Sequence, residues 1–168
     1  MPEYRLTEET QRMLDLSAGH RTAEAKSAQR RDRYPLGDPA QRVRFDQNGF
    51  AAEAVVRHHF GLDPMPIVAG YVYASADMRL HGKLVDVKCT EHAHGLLQRH
   101  TRASSRADAY VLVIRNELRY TLCGWLPAKE LMRDENRGSG RWADAWIARQ
   151  EALRCISTLR CWCLGEDA

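Results

Sequence analysis

Apolar and polar positions change period several times along this chain, and each change marks an element. Residues 7 to about 30 have helical spacing but are polar nearly all round, with Thr7 and Glu8 near the start and a short apolar stripe at Leu6, Met13 and Leu16. So narrow a face predicts an appendage, a lid or a dimer element. Prolines at 35 and 39 end this helix, because each disfavours helix at the residue before it. A second helix is predicted over residues 48 to 60, with Asp46 or Asn48 as its cap and Gly61 as its stop. Residues 61 to 66 carry two prolines and read as a loop, and residues 67 to 73 read as a first strand. His81-Gly82 predicts a tight turn joining residues 77 to 80 to residues 83 to 90 in a hairpin.

Beyond the hairpin, a helix is expected from Thr90 or Glu91 to about Ser105, followed by a buried strand over residues 109 to 115. Asn116-Glu117 turns that strand into another over residues 118 to 126, and Pro127 suits the first turn of a helix. Residues 135 to 140 read as a flexible loop. Residues 141 to 153 read as a helix that sends Trp142, Trp146 and Leu153 toward the core, and residues 155 to 164 fit either strand or helix. With no repeats, the pattern predicts one α/β domain over residues 1–168. It has a helical extension at 1–40, a core at 46–126 and a C-terminal elaboration at 127–168.

Composition adds bounds. The chain has 168 residues, 44% of them hydrophobic, enough to build a core. No apolar run reaches the ~20 residues that span a bilayer, and the polar start is no signal peptide, so a cytoplasmic protein without a membrane partner is expected. Cysteines at 89, 123, 155, 161 and 163 are odd in number and scattered, which fits free thiols in a reducing compartment. The formal charge is only +3, but all of the basic residues except Lys26, Lys83, Lys88 and Lys129 are arginine. Arginine forks onto phosphate as lysine cannot, although a GC-rich coding bias gives the same excess. Clusters at Arg30, Arg31, Arg33, Arg42 and Arg44, and at Arg99, His100, Arg102 and Arg106, flank the hairpin as a phosphate-tracking groove requires.

The hairpin itself carries the candidate chemistry. In a strand alternate side chains share a face, so Asp86 and Lys88 point one way while Val85 and Val87 enter an apolar layer. The turn brings Asp77 back toward Asp86. Glu53 lies in line with Gly49, Val56 and Phe60 on the packing face of its helix, where a carboxylate is costly unless paired or bound to a cation. The plainer account is an Asp86–Lys88 ion pair on a solvated strand face, which leaves Glu53 unexplained.

Acid-x-Lys alone is a weak motif, and Glu24-Ala25-Lys26 is a decoy in a polar helical pattern. In context it says more. A helical Glu, a hairpin Asp and Asp86-Val87-Lys88 in the following strand resemble the PD-(D/E)XK nuclease superfamily, over about residues 46 to 126. The likeness is greatest to small stand-alone members of bacteria and their phages; one minor departure is Ala76 in place of the motif's Pro, which many members lack. The resemblance implies a restriction-endonuclease-like fold: helix, three-stranded meander, helix, strand. It also implies a nuclease dependent on Mg²⁺ or Mn²⁺ and acting on nucleic acid, with DNA favoured over RNA. Metal ligands would be Glu53, Asp77, Asp86 and the Val87 carbonyl, with Lys88 activating water or stabilising charge. Oxygen-only ligands favour those hard ions over zinc.

Around this site, Arg44, Arg99, Arg102 and Arg106 are expected on the nucleic acid. Gln98 either faces the site from the next helix or is a plain surface residue. Asp108 reads as a cap or turn. His58 and His59 close a helix whose dipole they complement, and Tyr71, Tyr73 and Tyr110 read as core. Cys89, His92, His94, His100, Cys161 and Cys163 lack the spacing of a closed zinc site. A homodimer stays open, as does an inactive member that binds nucleic acid or serves as a subunit or inhibitor in a larger assembly.

Overall fold

The computed structural model describes residues 1–27, 39–65, 76–101, 103 and 106–166. The strand expected at 67 to 73, the break at 34 to 38, Arg30, Arg31, Arg33, Arg102, Tyr71 and Tyr73 lie outside them, as does the side chain of Arg42. In chain order the elements are β1 (Glu3–Arg5), α1 (Glu8–Ser27), α2 (Pro39–His59), β2 (Met78–Leu80), β3 (Lys83–Thr90), β4 (Leu97–His100), β5 (Ala109–Asn116), β6 (Arg119–Pro127), α3 (Ala128–Leu131), β7 (Ala145–Ala148) and α4 (Leu159–Leu164).

The protein is mixed α/β. Strands run β1-β6-β5-β3-β2 in one sheet and β4-β7 in a second. The hairpin forms as its turn residues predict: Leu80 pairs with Lys83, and His81 and Gly82 take φ of 45° and 85°. Positive φ at both central residues gives the turn the twist of the strands it joins. Strands β3 and β5 run parallel with Asp86 opposite Tyr110, so residues 91–108 must form a crossover.

Among its described residues that crossover contains no helix, contrary to the expectation for residues 90 to 105. It carries β4, paired antiparallel to β7 with Arg99 opposite Trp146. The helix expected over 141 to 153 is likewise replaced by two 3₁₀ turns flanking β7. Trp142 and Trp146 imitate a helical i, i+4 pair, but strand pairing satisfies the backbone instead. The expected flexible loop contains a 3₁₀ turn over Asp134–Asn136 and a bridge from Arg137 to Trp146. Residues 155 to 164 resolve as helical.

The sheet parts two cores. On one face Leu14 and Ala18 of α1 and Phe50, Ala51 and Val55 of α2 pack against Val85, Val87, Val111, Val113 and Tyr120. On the other, Leu97, Leu131 and Ala148 cover Tyr110, Leu112 and Leu126. Burial of Leu14 and Ala18 corrects the stripe expected on α1: Met13 and Leu16 are exposed. Gln11 sets this rotation, since its buried Oε1 accepts the Tyr120 hydroxyl at 2.7 Å. Helix α2 also starts earlier than expected, at Pro39, whose missing N–H is harmless in a first turn. Asp46 and Asn48 are therefore inside the helix rather than caps.

A bulge in β6 completes the arrangement. Leu112 pairs with Gly124 but Val113 with Leu122, so Cys123 is one residue too many. The extra residue reverses the alternation and returns Trp125 to the face of Tyr120 and Leu122. Gly124, at φ 150°, lets Arg154 approach: a Cβ there would lie 2.5 Å from the Arg154 carbonyl oxygen.

Candidate active site

Strand alternation separates Asp86 and Lys88 from the valines around them. Both project from the sheet face that also carries Tyr110, and Lys88 Nζ donates to Asp86 Oδ1 at 2.7 Å. Asp86 is 6% exposed and the Lys88 side chain 37%, so the pair has one buried and one wetted member. Lys88 Nζ stands 6.0 Å from the Tyr110 ring centre.

Asp77 sits just before β2, where the ladder with β3 begins. Its amide donates to the Val85 carbonyl at 3.1 Å, and its Oδ2 accepts the Val87 amide at 2.7 Å. A side chain thus continues the hydrogen bonding where β2 ends. In an extended strand the N–H and C=O of one residue point to the same side, so the Val87 carbonyl also faces Asp77. Asp77 keeps some surface, but packed atoms desolvate its carboxyl. This desolvation pushes its pKa well above the usual carboxylate range, and the charges of Glu53 and Asp86 push it further while Lys88 opposes them.

Glu53 stands on α2, whose apolar residues pack in the first core, and its charge acts on Asp77. It is 4% exposed, on the buried face of α2 among Ala52, Ala54 and Val56. The charges of Glu53, Asp86 and Lys88 thus all act on the Asp77 carboxyl, and Lys88 bonds directly to Asp86. The donors are all oxygen and carry excess negative charge, which fits a hard divalent cation. Among the described residues, no three His, Cys, Asp or Glu side chains stand as a ready metal cage. One oxygen of Asp77 is turned to Val87 and one of Asp86 to Lys88, so a cation would have to draw them away.

The outer residues are arranged differently from expectation. Gln98 is half-buried on β4, opposite Ile147, not on a helix. Arg99 is built into the fold: its Nε donates to the Tyr110 hydroxyl at 2.7 Å and its Nη2 to the Ala103 carbonyl at 3.2 Å, with its guanidinium 5.3 Å from the Trp146 ring. Arg106 is exposed. Asp108, expected as a cap or turn, instead pairs with β3: its Oδ2 accepts the Leu84 amide at 2.8 Å and its own amide donates to the Leu84 carbonyl at 2.7 Å. His58 and His59 end α2, and His59 Nδ1 lies 2.6 Å from the Tyr4 hydroxyl.

Arg44 forks onto Glu91, with Nη2 at 2.9 and 2.8 Å from the two carboxylate oxygens, and Asn48 Nδ2 adds a bond of 3.1 Å. Arg115 Nη1 stands 4.0 Å from the same carboxylate. The Arg44 bonds, against partial desolvation, hold Glu91 below the usual carboxylate range. Sequence reasoning missed Glu91 and the role of Asn48. The available signal was Arg44 and Asn48 four apart on one helix face.

No protein-family model matches the chain, and no curated protein or solved structure is significantly similar to it.

Proposed function

We propose that this protein is a divalent-metal-dependent nuclease that hydrolyses phosphodiester bonds in DNA, on a restriction-endonuclease-like scaffold of the PD-(D/E)XK type. The observation that carries the reading is Asp77, on which the charges of Glu53 and Asp86 converge with Lys88 beside them. Packing alone gives no reason to gather three carboxylates at one strand edge. The helix-borne Glu, the hairpin and the parallel strand after Asp86-Val87-Lys88 support the scaffold, and the crossover, which has no helix among its described residues, departs from it.

Glu53, Asp77, Asp86 and the Val87 carbonyl would hold Mg²⁺ or Mn²⁺, which acidifies water and neutralises charge building on the phosphate. Lys88 would turn from Asp86 to orient the attacking water or to meet that charge. The exposed Met13 and Leu16 offer α1 as a homodimer surface. No described helix is long and apolar enough to cross a membrane, and five thiols without a disulfide fit a reducing cytoplasm.

The test is incubation with linear, nicked, branched and single-stranded DNA in Mg²⁺, Mn²⁺, Ca²⁺ or EDTA, beside Lys88→Ala and Asp86→Ala. Cleavage confined to Mg²⁺ or Mn²⁺ and lost in both variants supports the reading, whereas equal cleavage by either variant overturns it. A second reading, an inactive member that only binds nucleic acid, is favoured by one observation. The inward bonds of Asp77 and Lys88 leave no ready cage among the described residues. Mn²⁺ titration by calorimetry separates the two, since only the first requires a site.

A further inference from the structure

The Glu91 carboxylate is held as an anion is held. The Arg44 fork, the Asn48 amide and the Arg115 guanidinium approach it from α2 and β5, although its own side chain is 36% exposed. Asn48 is 3% exposed, and its Oδ1 is buried without a hydrogen-bond partner among the described residues. Leaving such an acceptor unsatisfied is costly. An apolar residue would pack there more cheaply, so the amide's value lies in the donor aimed at the anion position. The Arg44 side chain is 66% exposed, and ion pairs that wet add little stability, so the carboxylate is readily displaced.

We propose that Arg44, Asn48 and Arg115 form a phosphate subsite that Glu91 occupies as a stand-in, and that the natural occupant is a backbone phosphate of the DNA substrate. The identity of the occupant rests on the nuclease reading, whereas the anion site does not. Glu91 follows Lys88 by three positions, roughly 10 Å along an extended chain. At that separation the subsite takes a phosphate close to the scissile one on the same strand. A planar carboxylate and a phosphate face share the geometry that an arginine fork recognises. DNA binding then swings Glu91 out, and free protein carries its own competitor.

Charge removal at Glu91 tests this with a definite sign. Full-length wild type, Glu91→Gln and Glu91→Gln/Arg44→Ala are compared for inorganic phosphate binding by calorimetry. Binding of a labelled DNA duplex is followed in Ca²⁺ by fluorescence anisotropy across a salt series. The expected result is that Glu91→Gln binds phosphate and DNA several-fold more tightly, with the DNA salt slope steeper by about one phosphate contact, and that adding Arg44→Ala abolishes both gains. A phosphate gain in Glu91→Gln with no DNA binding by any variant upholds the anion site and removes the nuclease reading. Unchanged or weaker phosphate binding in Glu91→Gln overturns the subsite even if wild type cuts DNA, because Glu91 is then only a clasp between β3 and α2.

Discussion

Asp77 accepts the Val87 amide at 2.7 Å across the edge of the sheet, so a proposed metal ligand also completes the backbone hydrogen bonding of the strand that carries Asp86 and Lys88. The two roles separate by substitution. Asp77→Asn keeps an acceptor for Val87 and removes one of three crowded charges, so it should melt at or above the wild-type temperature in EDTA. Asp77→Ala orphans the amide and should lose about 1–3 kcal/mol. Wild type should also gain more stability from Mn²⁺ than Asp77→Asn does, because a ligand of the folded state stabilises it by mass action. Paired thermal scans with and without metal check all three.

For Lys88→Ala we expect cleavage to fall by roughly 10²–10³-fold, the usual loss when one positioned charge is taken from a transition state. DNA affinity in Ca²⁺ should change little. A parallel loss of affinity and rate would mean that Lys88 serves binding rather than chemistry.

Gly124→Ala adds a Cβ 2.5 Å from the Arg154 carbonyl at a φ of 150°. The expected cost is about 1–3 kcal/mol, read in denaturant melts. The near-ultraviolet signal of Trp125 should change with it, since the bulge is what turns Trp125 into its core.

His59 makes stability depend on acid. Partial burial, then the charges of Arg160 and His58, lower its pKa. The folded state thus prefers neutral imidazole while the unfolded chain binds the extra proton more readily. The stabilisation is fully present above the ordinary value of about 6.5 and is lost as pH falls through the lowered one. Denaturant midpoints measured downward from neutrality should decline over that window, and His59→Asn should flatten the decline.

Thiol reagents at neutral pH should modify Cys155 first. It is exposed, and hydrogen bonds from Ser157 lower its pKa, whereas burial pushes Cys89 up to about 12 and Cys163 up to about 11. Peptide mapping after brief alkylation reads the order directly.

The hairpin, the Glu53 helix and the β5–β6 pair were legible because each rests on local chemistry: a Gly-containing turn, a carboxylate in an apolar line, β-branched runs. Residues 91–105 and 141–153 were misread because β4 and β7 are four-residue strands whose partners lie far apart in sequence. Trp142 and Trp146, four apart, supplied a false helical period. The stripe on α1 missed because Gln11, a polar residue, anchors the helix through Tyr120. Glu91 carries no motif, and only folding brings Arg44, Asn48 and Arg115 around it.

Strand β1 closes the sheet by lying against β6, and Gln11, just beyond it, bonds to Tyr120 across 109 positions. A nascent chain therefore holds β1 without this partner until β6 (Arg119–Pro127) has left the ribosome. Contacts so distant in sequence slow folding, because the chain must close a long loop before any pairing repays the lost entropy. The polar, charged composition of residues 1 to 12 suits that wait: Glu3, Arg5, Glu8, Glu9 and Arg12 keep a waiting strand from pairing with other chains.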